Sequence, residues 1–132
     1  GSTVAAVMHY LGLENTLLGV DVIEDGHVIA SDVTAQQLLD LCDQQAAELF
    51  ITLIGGQGHV LGRGNQQLSP ELIKQLGLGN IHIVATKTKL KELKGRPLLV
   101  DSGDPQLDQD LAGLVPVICG FHDVVLYPLG NP

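Results

Sequence analysis

The residues best suited to chemistry in this sequence lie in a glycine-rich segment, residues 55–67, which holds five glycines and one arginine. The segment follows an apolar run at residues 49–54 and precedes a helix start at Ser69-Pro70-Glu71. Glycines let backbone N–H groups approach a phosphate, and Arg63 adds a cation that can donate two hydrogen bonds to it. The segment therefore predicts a phosphate or nucleotide site; the competing interpretation is a flexible surface loop.

The glycine pattern alone does not select a nucleotide-binding class. It lacks the Gly-Lys-Ser/Thr ending of a Walker A loop, and it is not a Gly-x-Gly-x-x-Gly fingerprint, whose helix begins at once. Its amide side chains could bind the edge of a base, a ribose or a carboxamide, or they could only form turn bonds. The residues we assign to this phosphate site are Gly55, Gly56, Gln57, Gly58, Arg63, Gly64, Asn65 and Gln66.

Two carboxylates, Asp101 and Asp104, follow a second apolar run at residues 97–100. Carboxylates at the end of a strand can hold ribose hydroxyls or Mg²⁺, or act as a general base. Asp104 has a second interpretation, because an aspartate before Pro105 is also a good N-cap for a helix at residues 106–111. Asp101, at the tip of the strand, is the better candidate for a functional role.

Other candidates carry weaker signals. Asp21 lies in a strand-like run and is either an edge residue or directed into the site. Glu71 is explained by the helix dipole, although its place beside the glycine-rich segment leaves a catalytic role open. Gly1-Ser2-Thr3 precedes a helix and is either a phosphate-loop ending or a remnant of cloning. The five histidines show no metal-ligand spacing, so we predict no metal site and note only His59, inside the segment.

The composition argues against several classes of partner. A net charge of -8, from 15 acidic and 7 basic residues, argues against nucleic acids and anionic membranes. No apolar stretch reaches the ~20 residues of a membrane span, and no secretory signal is visible. Cys42 and Cys119 lie outside metal and redox motifs, so we expect buried, reduced thiols in a cytoplasmic protein, with one disulfide as the alternative. The chain does not begin with Met, and we expect one domain of a longer protein.

Helix and strand patterns alternate along most of the chain, and Asp25-Gly26 marks a hairpin turn. This alternation predicts an α/β fold with a Rossmann-like layered sheet, largely parallel, with helices on both faces and one β-hairpin near the N-terminus. The apolar strand at residues 49–54 should be buried on both faces. We predict helices at residues 4–11, 35–47, 70–77, 88–93 and 106–111, and strands or extended segments at 17–23, 27–33, 49–54, 80–85, 97–100, 115–119 and 124–127.

The predicted topology places the candidate residues relative to one another. In open α/β sheets, ligands bind at the carboxyl ends of the strands. Residues 55–67 and residues 101–105 both follow apolar strands, so we expect them at one edge of the sheet. Residues 1–3 would join them if a strand preceded the first helix.

The most specific element of the chain is Gly62-Arg63-Gly64-Asn65-Gln66-Gln67 with the following Ser69-Pro70-Glu71. Together with Gly1-Ser2-Thr3, Leu17-Leu18-Gly19-Val20-Asp21 and residues 95–105, it resembles the C-terminal half of the ATP- or polyphosphate-dependent NAD kinases, the AcoX-like branch included. The resemblance covers nearly the whole chain. It implies a cytoplasmic transferase of NADP biosynthesis that takes NAD as substrate and ATP or polyphosphate with Mg²⁺ as phosphoryl donor.

The chain departs from that family in one respect. NAD kinases carry a Gly-Gly-Asp-Gly-Thr motif in an N-terminal domain, and its aspartate serves catalysis, but this chain has no such motif. Gly55-Gly56-Gln57-Gly58 is a different element with an amide in place of the acid. The resemblance therefore implies a C-terminal domain that is inactive alone and whose partner is the N-terminal domain of the same protein.

A second resemblance is to ribose-5-phosphate isomerases and to the effector domains of sugar-phosphate-responsive repressors. Gly1-Ser2-Thr3, Gly19-Val20-Asp21, residues 62–71 and residues 81–90 carry it. It implies either a sugar-phosphate-binding module or an isomerase with Asp21 or Glu71 as its base, although the long spacing from Asp21 to the glycines departs from the isomerase pattern. The expected ligand is thus a small nucleotide or sugar phosphate, and an oligomer is possible.

Overall fold

The computed structural model describes residues 22–24, 27–30, 33–44, 47–53, 56–61, 67–120 and 122–130. Within these residues helices and strands alternate around a six-stranded, mostly parallel sheet, which confirms the predicted α/β class. The predicted helix at residues 4–11 lies outside the described residues. Among the helices that are described, none is both long and apolar enough to cross a membrane.

Each helix begins at a residue whose side chain accepts a hydrogen bond from the first turn. Ser69 Oγ accepts from the backbone N–H of Leu72 at 3.3 Å, and Thr34 forms a reciprocal capping box with Gln37. These local signals explain why the predicted helix starts were close to the observed ones. The helices are α1 (Ala35–Gln44), α2 (Pro70–Leu76), α3 (Lys87–Glu92) and α4 (Pro105–Leu111), with caps at Thr34, Ser69, Thr86 and Asp104.

The strands form two sheets. The predicted N-terminal hairpin is present: within the described residues, β1 (Val22–Glu24) and β2 (His27–Ala30) form a two-stranded antiparallel sheet. The larger sheet has the order β3-β5-β7-β8-β6-β4. Its strands are β3 (Leu49–Thr52), β4 (His59–Leu61), β5 (Ile81–Val84), β6 (Leu98–Val100), β7 (Gly113–Gly120) and β8 (Asp123–Gly130).

The six-stranded sheet consists of two parallel halves that run in opposite directions. β3, β5 and β7 are parallel to one another, as are β8, β6 and β4. The two halves meet at the antiparallel pair β7–β8. The carboxyl ends of β3, β5 and β7 therefore lie along one edge of the sheet, and those of β8, β6 and β4 lie along the opposite edge. By edge we mean the line along which strands begin and end.

The order of the strands and the length of the chain between β3 and β4 indicate that the sheet is curved. Strands β3 and β4 stand at opposite ends of the order, which in a flat sheet would separate them by about 24 Å. The seven residue steps from Thr52 to His59 reach about 23–25 Å only when fully extended. Because Gly56, Gln57 and Gly58 form a turn, the chain cannot be fully extended there, so the sheet must curl.

The described helices and strands share a hydrophobic core that covers one face of β3, β5, β7 and β8, whereas the successive residues of β4 are all buried. Ile73, Leu98, Val100 and Val117 are completely buried in this core, which contains side chains from all four helices. The other face carries exposed apolar side chains, including Phe50 at 56% exposure. The Rossmann-like arrangement, with helices on both faces, stays a prediction. The expectation that β3 is buried on both faces was wrong, because β3 is an edge strand with one face open.

Candidate functional site

A short strand divides the glycine-rich segment that the sequence analysis treated as one loop. Strand β4 occupies His59–Leu61, and its side chains are buried. Residues 56–58 thus precede the strand and residues 62–67 follow it, with about 13 Å of extended chain between Gly58 and the residue after Leu61. The segment is therefore not one continuous loop, because strand β4 interrupts it, and phosphate binding by its two parts stays a prediction.

The first part of the segment has a structural role. Gly56 and Gln57 are exposed in the turn, whereas Gly58 is buried with a φ of +79°. A Cβ at Gly58 would lie 2.9 Å from Leu93 Cδ2, and the Gly58 carbonyl accepts a hydrogen bond from the Leu99 N–H at 3.0 Å. Glycine is therefore favoured here by the packing against Leu93 and by the positive φ of the backbone. Gly55 lies outside the described residues.

The second part of the segment begins beside the loop that follows β6 and contains Asp101. The backbone N–H of Asp101 donates to the Leu61 carbonyl at 3.1 Å, so strands β4 and β6 end side by side. The chain that leaves β4 and the chain that leaves β6 therefore start from the same edge. The structure therefore supports a shared edge for the chain after Leu61 and the loop after Val100, but not for residues 56–58. Arg63, Gly64, Asn65 and Gln66 themselves lie outside the described residues.

A buried carboxylate holds the loop after β6 in place. Asp108 of α4 is only 7% exposed. Its Oδ1 accepts hydrogen bonds from the Ser102 backbone N–H at 3.0 Å and from the Ser102 Oγ at 2.6 Å. Ser102 Oγ also lies 3.2 Å from the Asp104 N–H, which donates to it. These bonds fix residues 101–104 and leave the Asp101 side chain exposed at the strand end.

Asp104 is both a helix cap and an ion-pair partner. Its Oδ1 accepts from the Gln106 and Leu107 N–H groups, as the helix-cap interpretation predicts. Its Oδ2 contacts Lys74 Nζ of α2 at 2.5 Å. The Lys74 hydrogen bond, followed by the backbone donor of Leu107, lowers the pKa of the Asp104 carboxyl, and the same bond raises the pKa of Lys74. Asp104 is thus an unsuitable general base.

The remaining candidates are spread over the chain. Glu71 lies in the first turn of α2, exposed, on the helix that also carries Lys74. His59 is buried in β4 at 5% exposure. Asp21 and Gly1-Ser2-Thr3 lie outside the described residues. The two cysteines are free, as expected, but half-buried, and desolvation raises the pKa of both the Cys42 and the Cys119 thiol.

The described side chains do not form a metal site. Among these residues, no three His, Cys, Asp or Glu side chains lie together as potential ligands. Asp104 is engaged by Lys74 and by the α4 backbone, and the exposed carboxylates of Asp101, Glu71 and Asp110 do not gather with it into a group of three ligands. These groups therefore do not fit a magnesium ion held by protein side chains alone, and we assign it no step.

Three residues of this edge were missed by the sequence analysis. Lys74 lies 30 positions from Asp104, and nothing local relates the two. Ser102 and Asp108 showed a weak signal, because a serine before an aspartate cap and an acid in the first helical turn are common around helix starts. Their mutual hydrogen bonds need the loop to fold back on α4, which sequence spacing does not show.

This edge combines the Lys74–Asp104 ion pair with an exposed carboxylate beside the start of the segment that contains Arg63. Lys74 supplies a cation that is 56% exposed, and Asp101 supplies a free acceptor for a hydroxyl group. The loop that contains Arg63 starts next to both strand ends. A cation near a loop rich in glycine N–H groups is the usual composition of an anion site.

Comparison with known proteins was made at the level of families, curated sequences and solved structures. No curated protein sequence and no solved structure matches the chain. One family matches residues 1–129 of the 132, described as the ATP-NAD kinase C-terminal domain. Because the match spans almost the whole chain, this protein belongs to the family of ATP-NAD kinase C-terminal domains.

Proposed function

We propose that this domain binds the phosphates of NAD or ATP at the edge where strands β4 and β6 end, as part of an enzyme that phosphorylates NAD to NADP. The observation that carries the proposal is the Asp101 N–H to Leu61 carbonyl hydrogen bond of 3.1 Å. It brings the start of Gly62-Arg63-Gly64-Asn65-Gln66-Gln67 next to Asp101. The family membership supports the kinase assignment.

Each group at this edge has a distinct proposed role. Arg63 and the glycine N–H groups contact phosphate oxygens, and Lys74 adds positive charge from α2. Asp101 accepts a hydrogen bond from a ribose hydroxyl, while Ser102 and Asp108 hold its loop in position. Phosphoryl transfer depends mainly on such positioning and on neutralisation of charge.

The catalytic acid is expected outside this chain. A Gly-Gly-Asp-Gly-Thr motif is absent from the sequence, so the domain supplies nucleotide binding and a preceding domain supplies the aspartate. Mg²⁺ would arrive with the ATP phosphates. The free Cys42 and Cys119 are in keeping with a reducing compartment, and we place the enzyme in the cytoplasm.

The proposal is tested by thermal unfolding of this chain with NAD, NADP, ATP with Mg²⁺, and ribose 5-phosphate. A ligand at ~100 times its dissociation constant stabilises by about 2.7 kcal/mol, a rise in Tm of roughly 10 °C. We expect a rise with NAD or ATP that disappears in Arg63→Ala.

Arg96→Ala is the matched control, because Arg96 is the other arginine of the chain and precedes β6, at the opposite edge. Its Nε donates to the Leu93 carbonyl, so its loss can lower the Tm without removing the ligand-induced rise. A rise that survives Arg63→Ala and disappears in Arg96→Ala would refute the placement of the site.

The sugar-phosphate hypothesis is not favoured by the family match. It nevertheless makes a different prediction in the same experiment, namely stabilisation by ribose 5-phosphate alone. That result would replace the kinase proposal.

A further inference from the structure

Lys74 is a cation of the proposed nucleotide edge, and a carboxylate of the same domain already holds it. Its Nζ lies 2.5 Å from Asp104 Oδ2. The two residues are 30 positions apart, one in the last turn of α2 and the other at the N-cap of α4. A phosphate group that binds Lys74 must therefore take the ammonium group from this partner.

The two oxygens of the Asp104 carboxylate have separate roles. Oδ1 accepts hydrogen bonds from the backbone N–H groups of Gln106 at 3.1 Å and Leu107 at 3.2 Å, whereas Oδ2 contacts Lys74. The Asp104 N–H donates to Ser102 Oγ at 3.2 Å, which fixes the backbone of the cap. The carboxylate therefore keeps its position and its cap bonds when the ammonium group moves away.

Lys74 can change partners without any movement of its helix. Leu72 and Ile73 of α2 are buried and anchor the helix in the core, whereas the Lys74 side chain is 56% exposed. A lysine has a flexible four-carbon stem and an ammonium group with three rotatable donors. Because exposed ion pairs are weak, a competing anion can displace Asp104 from Lys74.

Other carboxylates near Lys74 act on it more weakly than Asp104 does. The Asp104 hydrogen bond is the main cause of the raised pKa of Lys74, and the charges of Asp110 and Glu71 act in the same direction. Among the described residues, Asp104 is the carboxylate in direct contact with the ammonium group. The competition by direct contact can therefore be separated by substitution from the repulsion by nearby charge.

We propose that Asp104 is a specificity-determining residue of the nucleotide edge, an inference that rests on the function proposed above. Its carboxylate is an internal competitor that occupies Lys74 until a phosphorylated ligand replaces it. Asp104 weakens the binding of every anion to Lys74 by a similar factor, so a ligand that offers only a phosphate is excluded first. A nucleotide, with additional contacts to the segment that contains Arg63 and to Asp101, still binds.

The test is an NMR titration of the chain with inorganic pyrophosphate and with NAD, in which the amide signals of residues 101–107 report the dissociation constants at the edge itself. Asp104→Asn keeps a helix cap and removes the competing charge. We expect it to bind both ligands about threefold to fivefold more tightly than the parent, the range of a weak exposed ion pair. In a Lys74→Met background, Asp104→Asn should tighten binding no more than a nearby charge does.

Asp110→Asn is the matched control, because it removes the same charge near Lys74 from a carboxylate whose described bond is to Gln106. It should tighten binding by less than about twofold, since the screened charge acts without contact. Equal gains for Asp104→Asn and Asp110→Asn, or a full gain that persists with Lys74→Met, would overturn the inference and leave the proposed function intact. If neither ligand shifts these signals in the parent or in Asp104→Asn, the proposed function fails and the inference fails with it.

Discussion

At the scale of single residues, the loop after β6 is held by one buried carboxylate. Asp108 accepts two hydrogen bonds from Ser102 and thereby fixes the backbone that presents Asp101. Removing the acceptor leaves a partly buried N–H and a hydroxyl without their partner, and such losses cost more than the net value of the bonds. The position of Asp101 thus depends on a residue that the sequence analysis did not select.

Asp108→Ala should lower the free energy of unfolding by about 2 kcal/mol. Asp110→Ala is the control on the same helix, since Asp110 is exposed and bonds only the exposed Gln106 amide in its described contacts. It should change stability by less than about 0.5 kcal/mol. Urea unfolding measures both, and equal losses for the two variants would show that the Ser102 bonds do not hold the loop.

The Asp104–Lys74 pair predicts a dependence of stability on acid pH. The pKa of Asp104 is lowered in the folded protein, chiefly by the Lys74 hydrogen bond. The stabilisation is therefore complete above the unfolded pKa of ~3.9 and is lost as the pH falls through the lower folded value. Asparagine can still cap the helix, so Asp104→Asn removes the ion pair and keeps the cap.

We expect the difference in unfolding free energy between the parent and Asp104→Asn to be constant from about pH 5 to 8 and to shrink below about pH 4. Lys74→Met should lose the larger part of this acid-dependent component, because the backbone N–H groups of Leu107 and Gln106 still lower the pKa of Asp104. The double variant should lose no more of it than Asp104→Asn alone. Urea unfolding at a series of pH values measures the difference. A difference that stays constant down to about pH 2 would contradict the ion pair.

At the scale of elements, strand β4 decides which glycines can meet a ligand. Gly58 starts the strand in a left-handed backbone conformation against Leu93 and Leu98. Gly56, two residues earlier, has no atom within 4 Å of the position of a Cβ and no positive φ. The two glycines look equivalent in the sequence but should respond differently to substitution.

Gly58→Ala should destabilise the protein by about 2 kcal/mol, from backbone strain and from the close approach to the buried Leu93. Gly56→Ala should be neutral or slightly stabilising, because alanine only restricts the unfolded chain there. Thermal unfolding of the two variants compares them directly. If both substitutions cost the same, the placement of β4 would be wrong.

The helices were predictable from sequence because their signals are local. Ser69-Pro70 and Asp104-Pro105 each combine a cap with a proline at the first helical position, and both helices begin there. Strand β4 was missed because three residues between glycines are too few to show an alternation. The length and antiparallel pairing of β7 and β8 depend on contacts between strands, and the turn at His122 has no strong hairpin signature.

At the scale of the whole molecule, the strand direction of the six-stranded sheet reverses once, between β7 and β8. The strands on the two sides of this pair therefore end at opposite edges. In a fully parallel sheet, every strand would carry the loop that follows it to the same edge. The antiparallel β7–β8 pair breaks that rule, so Gly56–Gly58 and Asp101–Asp104 lie at opposite edges. The same pair forms the centre of the open apolar face.

The central claim is that nucleotide binds at the edge where β4 and β6 end, and NMR titration of the isotope-labelled chain with NAD or ATP tests it most directly. We predict that the backbone amide signals of Asp101–Asp104 and of residues 62–67 shift as ligand is added, while those of Gly56–Gly58 stay in place. Shifts confined to Gly56–Gly58 and their neighbours, with residues 101–104 unaffected at saturation, would contradict the claim.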